Sequence, residues 1–381
     1  MKIVVAPDSF KGSMTAAQAC EAIAAGLRKA IPAAEIVSVP MADGGEGTVD
    51  ALVASTGGRR VSARVTGPLG EPIMAVYGIL GDDQTAVIEM AAASGLPLVP
   101  PAKRNPLVTT TYGTGELIRR ALDEGCREII VGIGGSATTD GGAGMAQALG
   151  VRFLHEGQAI EEPMNGALMG QVDAADVSGL LPAARACRFT VACDVNNPLL
   201  GPKGAVYVYS PQKGATREQC AILEANMKRY IDVVEKAVGR HVRGVPGAGA
   251  AGGLGAGLMA FLDARLTPGI DIVLAHSGLA HRVKGAALVI TGEGQIDYQT
   301  AFGKTPSGVA RVAKAEGISV IALAGSVGEG ADKLVDIGII ACFSICPGPM
   351  TVEEAMGRGA ELLESAAERL GHVWLRAAGI P

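Results

Sequence analysis

Short apolar runs alternate with amphipathic stretches at the start of the chain. Residues 3–6 predict a buried strand, and residues 15–30 show the spacing of apolar positions that is typical of a helix. Residues 36–39 then predict a second strand, and residues 49–55 a second helix. Strands that alternate with helices favour a parallel sheet with ligands at the carboxyl ends of its strands.

The pattern changes in the middle of the chain and returns near the end. Residues 61–65 and 73–79 predict two strands joined by a tight turn, as in a hairpin. From residue 286 onward, strands and helices alternate again; we expect strands at 287–290, 320–324 and 339–345, and helices at about 307–315 and 352–370.

A pattern that begins, breaks and resumes predicts one domain inserted into another. We expect an α/β protein in which residues 1–59 and 285–381 form a discontinuous, Rossmann-like or flavodoxin-like domain with a doubly wound parallel sheet. Residues 60–284 would form a second, inserted α/β domain. Residues 244–257 are rich in glycine, which is compatible with a hinge and equally with tight packing.

A glycine-rich loop at residues 132–144 follows an apolar run at 129–133. Its sequence GIGGSATTDGGAG holds six glycines, three hydroxyls and one carboxylate. Glycines let backbone N–H groups approach an anion, and the helix predicted to follow adds the positive end of its dipole. The loop therefore predicts a phosphate cradle; a tight turn capped by Thr139 or Asp140 is the alternative. The expected cofactor-binding residues are Gly134, Gly135, Ser136, Thr138, Thr139, Gly141 and Gly142.

Four aspartates stand just after predicted strands, beside glycine or another polar residue: Asp8, Asp43, Asp194 and Asp297. Carboxylates that converge near glycine loops suit Mg²⁺-assisted phosphoryl transfer. One or two of them bind the metal, and another accepts the proton of the attacking hydroxyl. For any single aspartate, a helix cap or an Asx-turn is the alternative.

Two loop lysines, Lys11 and Lys304, are each flanked by a glycine. Each follows a predicted strand of the parallel sheet, where it is placed to meet a phosphate or a substrate carboxylate. The segment 303–305 looks like the end of a phosphate-binding P-loop but fails its spacing, because Tyr298 stands where the first glycine is needed.

Composition and charge exclude several classes of protein. The chain has 381 residues, 48% of them hydrophobic, and its 54 glycines follow no fixed period. A net charge of −5 argues against a dedicated nucleic-acid or membrane-surface binder. The seven scattered cysteines form no C-x-x-C pair, so we expect reduced thiols in a cytoplasmic protein without structural zinc. No apolar stretch reaches the roughly 20 residues that a membrane span needs.

Two other functional classes remain open from the residues alone. Residues 132–137 fit a dinucleotide-binding pattern, with Glu156 about twenty residues further on, and residues 247–252 fit its glycine spacing. A nicotinamide-dependent oxidoreductase is therefore one alternative, and a non-catalytic nucleotide-binding regulator is the other. The loop carboxylates favour a kinase, since neither alternative needs a metal site.

Eight segments, taken together and in this order, resemble the type-1 glycerate kinase family, bacterial enzymes that phosphorylate glycerate with ATP. They extend over most of the chain, and their combination is far more specific than any one of them. Gln295 departs from the family pattern, in which arginine is more usual. The matching segments are residues 6–13, 42–48, 111–118, 134–142, 193–195, 211–215, 246–253 and 291–304.

The resemblance implies a two-domain enzyme with its active site in the cleft between the domains, and ATP, Mg²⁺ and D-glycerate as its ligands. It implies 2-phosphoglycerate as product, with phosphorylation of the 3-hydroxyl as the alternative. A homodimer is compatible with it. On this basis we expect Asp194 as the base and Lys11 as a second catalytic residue. The expected substrate-binding residues are Asp8, Ser9, Lys11, Asp297 and Lys304, and the expected metal ligands are Asp43, Asp140 and Asp297.

Overall fold

The structure is a computed structural model that describes residues 1–301 and 303–377. The expected α/β class is confirmed, because helices and mostly parallel strands alternate along the chain. The strands are β1 (Lys2–Val5), β2 (Glu35–Ser38), β3 (Arg59–Thr66), β4 (Pro72–Ile79), β5 (Thr85–Glu89), β6 (Glu128–Gly132), β7 (Arg152–His155), β8 (Gln158–Ala159), β9 (Ala174–Asp176), β10 (Arg188–Ala192), β11 (Arg265–Thr267), β12 (Leu288–Ile296), β13 (Val320–Val327) and β14 (Ile339–Ser344).

The helices between these strands vary from one turn to six turns. They are α1 (Ala16–Ala30), α2 (Thr48–Thr56), α3 (Ala91–Ser94), α4 (Tyr112–Asp123), α5 (Ala143–Ala148), α6 (Pro182–Ala186), α7 (Ala205–Tyr209), α8 (Arg217–Val238), α9 (Leu254–Leu262), α10 (Gly269–His276), α11 (Leu279–Arg282), α12 (Thr305–Ala315), α13 (Val352–Gly357) and α14 (Gly359–Ala377). In the described ranges, no helix is both long enough and apolar enough to cross a membrane.

The chain divides into two compact units. Unit 1 comprises Met1–Asp43, Asp50–Gly57 and Ile270–Pro381, and unit 2 comprises Gly44–Val49 and Gly58–Gly269. The sequence pattern predicts an inserted segment at residues 60–284, and those boundaries stay a prediction.

Unit 1 contains a five-stranded sheet in the order β14-β13-β12-β1-β2, and all of its strands are parallel. β1 pairs with β2 on one side and with β12 on the other, so the strand order reverses beside β1. Loops that leave neighbouring strands at such a point diverge and open a crevice at the carboxyl ends. α1 and α14 pack closely together, and they contribute Ile23, Leu27 and Leu363 to the core of the unit.

Unit 2 contains a six-stranded sheet in the order β11-β10-β6-β5-β4-β3. Its first four strands are parallel, and β3 and β4 form the antiparallel hairpin that was predicted from residues 61–65 and 73–79. A small antiparallel sheet, β8-β7-β9, completes the unit. The core around the large sheet includes Ile129, Val131, Phe153 and Tyr230.

Three predictions about the C-terminal third of the chain were wrong in extent; the smallest difference is at β13, which was expected to end at residue 324 and continues to Val327. The helix expected over 352–370 is two helices, α13 and α14, which separate at Arg358 and Gly359. A Cβ at Gly359 would lie 2.2 Å from Ser13 Oγ, so any larger residue at the start of α14 would force the side chains of Ser13 and Met14 to shift. β12 was expected to end at residue 290 but continues to Ile296, because it pairs with β13 along most of its length.

Candidate active site

A pocket of about 610 Å³ lies in unit 1, at the carboxyl ends of the parallel strands. Its charged residues come from three separate parts of the chain. They are Asp8 and Lys11 after β1, Asp43 after β2, and Glu293 and Lys304, of which the first lies on β12 and the second just before α12. The reversal of strand order beside β1 therefore brings together side chains that are about 300 residues apart in sequence.

Asp8 connects the loop after β1 to the first turn of α12. Its Oδ1 accepts a hydrogen bond from the Ser9 backbone N–H at 2.6 Å, and its Oδ2 accepts one from Thr305 Oγ1 at 2.5 Å. Only 6% of Asp8 is exposed. Burial raises the pKa of Asp8 to about 6, with a further contribution from the Asp43 charge, and these hydrogen bonds oppose the rise.

Glu293 is a site residue that sequence reasoning missed. Its Oε1 accepts a hydrogen bond from Thr300 Oγ1 at 2.9 Å and lies 3.9 Å from Lys304 Nζ. Burial raises the pKa of Glu293 to about 7; the Lys304 charge opposes this rise, and the charges of Asp8 and Asp43 add to it. The signal was present in the TGEGQ stretch, but the strand was predicted to stop before it.

Of the other residues expected to bind substrate, three line the pocket and one does not. Ser9, Lys11 and Lys304 line the pocket, and Lys11 is exposed to solvent. Asp297 is not among the described residues that line it. Instead, its carboxylate accepts hydrogen bonds from the Gln299 backbone N–H at 2.8 Å and from Gln295 Nε2 at 3.1 Å, so the unusual Gln295 contacts an acid.

The glycine-rich loop lies in unit 2, after β6, and only its first part is open. Gly134 and Gly135 are exposed, whereas the residues from Ser136 to Gly144 are buried. Gly141 and Gly142 have φ values of +61° and +75°. A Cβ would lie 2.7 Å from the Tyr230 ring at Gly141 and 3.1 Å from the backbone of Gly257 at Gly142. Backbone conformation and tight packing therefore require these two glycines.

The segment at residues 244–257 packs against this loop. A Cβ at Gly252 would lie 2.0 Å from the carbonyl oxygen of Thr138, and one at Gly257 would lie 2.6 Å from that of Gly141. Of the two explanations that the sequence left open for these glycines, the contacts favour tight packing over a hinge.

Asp140 is completely buried inside the loop. Its Oδ2 accepts hydrogen bonds from the backbone N–H and the hydroxyl of Thr111, at 2.8 and 2.7 Å, and its Oδ1 accepts one from the Gly142 backbone N–H at 3.2 Å. Burial raises the pKa of Asp140, and these hydrogen bonds oppose the rise. Its contacts make Asp140 an anchor of the loop; as a metal ligand it stays a prediction.

Lys213 is a second residue that sequence reasoning missed. Its ammonium group donates hydrogen bonds to Ser136 Oγ at 2.8 Å and to the carbonyl oxygen of Thr138 at 2.5 Å, and only 1% of the residue is exposed. Burial lowers the pKa of Lys213 to about 7, and the charge of Asp140 opposes that change. The motif at residues 211–215 drew attention to this segment, but no local pattern marks a buried lysine.

Asp194 is exposed at the carboxyl end of the unit 2 sheet. Its Oδ1 accepts a hydrogen bond from the Gly269 backbone N–H at 3.0 Å. In the sheet, Ala192 at the end of β10 is aligned with Gly132 at the end of β6. Asp194 and Gly134 each follow these positions by two residues, so a carboxylate and the open part of the glycine loop leave adjacent strand ends.

The pocket of unit 1 and the glycine-rich loop of unit 2 belong to a chain that matches known proteins over most of its length. A family model described as the glycerate kinase family matches residues 3–375. The chain belongs to the glycerate kinase family. It is 54% identical to a glycerate kinase from Halalkalibacterium halodurans, with 97% of each chain covered, and 51% identical to the glycerate 2-kinase of Escherichia coli, with 94% of each covered.

A solved structure supports the same relationship. It comes from Salmonella typhimurium LT2 and carries a glycerate kinase 2 designation. The superposition covers 100% of this chain and 99% of the Salmonella chain, with a TM-score of 0.90 and 47% sequence identity. The family resemblance of the sequence motifs is thus confirmed, and the chain is a kinase that acts on glycerate. The oxidoreductase and the non-catalytic regulator are excluded as alternatives.

Proposed function

We propose that the chain transfers the γ-phosphoryl group of ATP to the 2-hydroxyl of D-glycerate, which gives 2-phospho-D-glycerate and ADP. One observation carries the proposal: three carboxyl groups and two lysines line one pocket at the carboxyl ends of a parallel sheet. Lysines meet phosphate and carboxylate groups, and carboxylates accept a hydroxyl proton or bind a metal. The designation of the Escherichia coli relative as a glycerate 2-kinase supports transfer to the 2-hydroxyl.

The donor set of the unit 1 pocket fits a magnesium ion. Asp8, Asp43 and Glu293 repel one another, and a divalent cation would relieve that repulsion. In residues 1–301 and 303–377, no group of three His, Cys, Asp or Glu side chains is arranged to hold a metal. Magnesium in kinases usually has one or two protein carboxylates, with the remaining ligands from water and substrate phosphates. We assign Asp43 to this role, and the ion would neutralise phosphate charge.

Two carboxyl groups are candidates for the base that accepts the hydroxyl proton. Asp194 stays our first proposal, because it is exposed and follows β10, whose end is paired with the end of β6 from which the glycine loop leaves. Glu293 is the alternative, because a base is most effective when its pKa lies near the working pH and burial brings the pKa of Glu293 to about 7. The variants Asp194→Asn and Glu293→Gln distinguish them, since only loss of the true base removes the acidic limb of the kcat profile against pH.

The fold and the assembly complete the proposal. All five strands of the unit 1 sheet are parallel, and their order reverses beside β1, which supports a Rossmann-like, doubly wound description of that unit. From the sequence we also propose a homodimer, which analytical ultracentrifugation would test. We propose a cytoplasmic location as well, which cell fractionation would test.

The deciding experiment is a coupled assay with MgATP and D-glycerate, in which phosphorus NMR identifies the product. A 2-phosphate product supports the proposal in full. A 3-phosphate product would overturn the choice of hydroxyl, and glycerate turnover with a donor other than ATP would overturn the choice of nucleotide.

A further inference from the structure

The unit 1 pocket extends beyond its charged residues to an apolar wall. This wall consists of Ile345, Pro349, Met350, Val352 and Met356. We propose that the apolar wall binds the adenine and ribose of ATP, with the phosphates directed towards Lys11 and Lys304. The inference rests on the proposed function, which supplies ATP as donor, and it moves the nucleotide from the glycine-rich loop of unit 2 to the pocket of unit 1.

The size of the pocket favours a nucleotide over glycerate. A volume of about 610 Å³ lies within the range of pockets that bury ligands of drug size. Glycerate has three carbons, two hydroxyls and a carboxylate, so it fills a small part of that volume. Its apolar surface is limited to one CH and one CH₂ group, whereas a nucleoside triphosphate has a flat ring at one end and its charge at the other.

Two large side chains of the apolar wall are exposed, although Ile345 at its base is buried. Val352 is 75% exposed and Met356 is 38% exposed. Their position is fixed by the start of α13, where Thr351 and Glu354 form a capping box. The neighbouring Gly348 also faces open space, because a Cβ added there would meet no other atom. Methionine makes favourable contacts with aromatic rings and adapts to their shape, so such a wall suits a flat base.

The pocket also lies at the position in the sheet where doubly wound folds bind nucleotides. The wall follows β14 and continues into α13, and the charged residues follow β1, β2 and β12, all in the parallel sheet of unit 1. In doubly wound sheets, ligands lie outside the carboxyl ends of the strands where the strand order reverses. Lys304 is the N-cap of the eleven-residue helix α12, whose N-terminus adds the positive end of the helix dipole beside this lysine.

Cys346 provides a reporter inside the pocket. It is half-buried, lines the pocket, and its Sγ lies 3.4 Å from the carbonyl oxygen of Gly325. We would alkylate the full chain with N-ethylmaleimide and follow each cysteine by peptide mass spectrometry. ADP or adenosine at ten times its Kd should slow the modification of Cys346 about tenfold, and D-glycerate should not. Cys342 on β14 and Cys193 in unit 2, both half-buried, are the internal references.

A pair of matched variants gives an independent test. Val352→Asn changes the apolar wall, and Val373→Asn makes the same change at a 65% exposed valine on α14 that does not line the pocket. Both positions are exposed, so neither change should prevent folding. Loss of the apolar contact at residue 352 should raise the KM for ATP about fivefold to tenfold. The KM for D-glycerate should stay unchanged, and Val373→Asn should change neither constant.

Three results would overturn the inference: protection of Cys346 by D-glycerate but not by ADP, protection of Cys193 in place of Cys346 by ADP, or a Val352→Asn variant that raises only the KM for D-glycerate. Turnover of MgATP and D-glycerate tests the proposed function separately. Turnover without protection of Cys346 by ADP overturns only the location of the nucleotide. Protection of Cys346 by ADP and adenosine without turnover supports that location and overturns the proposed function.

Discussion

Replacing Glu293 by glutamine should stabilise unit 1, although Glu293 lies in the proposed active site. The side chain of Glu293 is only 13% exposed. Burial, with contributions from the charges of Asp8 and Asp43, raises its pKa from 4.5 to about 7 in spite of Lys304. Glutamine keeps the shape of the side chain and an oxygen that can accept the hydrogen bond of Thr300, but it removes the charge.

The size and sign of the effect follow from the two pKa values. Because the pKa is higher in the folded chain, the folded state keeps a proton that the unfolded state has lost, and stability falls as pH rises from about 4.5 to about 7. At about 1.4 kcal/mol per pH unit, the full difference corresponds to about 3 kcal/mol as an upper bound. The variant should therefore be more stable than the parent by about 1–3 kcal/mol at pH 8, and by less than about 1 kcal/mol at pH 5.

The single tryptophan of the chain makes this measurement specific for unit 1. Trp374 packs against the core of that unit, so its fluorescence reports the unfolding of unit 1 in urea. Parent and variant would be compared at pH 5 and pH 8 with EDTA and without nucleotide. Glu316→Gln, at an exposed position in the same unit, is the matched control and should show no such difference. A Glu293→Gln variant no more stable than the parent at pH 8 would refute the reasoning.

Further variants test the unit 2 site and the packing of glycine. Asp194→Asn should lower kcat about 100-fold or more if Asp194 is the base, and near-parental kcat would remove it from that role. Lys213→Met leaves the Ser136 hydroxyl and the Thr138 carbonyl without their buried donor, so unfolding should show a loss of about 1–3 kcal/mol; an unchanged midpoint would contradict those contacts. Gly113→Ala should destabilise α4, because the added Cβ would lie 1.9 Å from the Thr66 carbonyl oxygen. Gly357→Ala is the control: its Cβ would lie in open space, so the change should be neutral or stabilising by about 0.5–1 kcal/mol. Equal effects of the two variants on urea unfolding would refute this explanation.

The sequence by itself determined the α/β class, the family and the loops that carry the chemistry. These features depend on local information: apolar runs of strand length, helical periodicity, and glycines and acids just after each strand. Asp8, Lys11, Asp43 and Lys304 line one pocket because all of them lie in connections that follow strands of one parallel sheet. The strand pattern by itself implied that arrangement.

The tertiary structure decided which of these residues are buried and what surrounds them. The buried Lys213, the perturbed Glu293 and the packed Gly141 all depend on neighbours that are distant in sequence, such as Ser136, Asp8 and Tyr230. A pKa or a steric requirement is set by the atoms around a group after folding, and a sequence pattern reports only the residues beside it along the chain. That is why the sequence located the loops of the candidate site, and the fold alone determined the environment of each side chain within them.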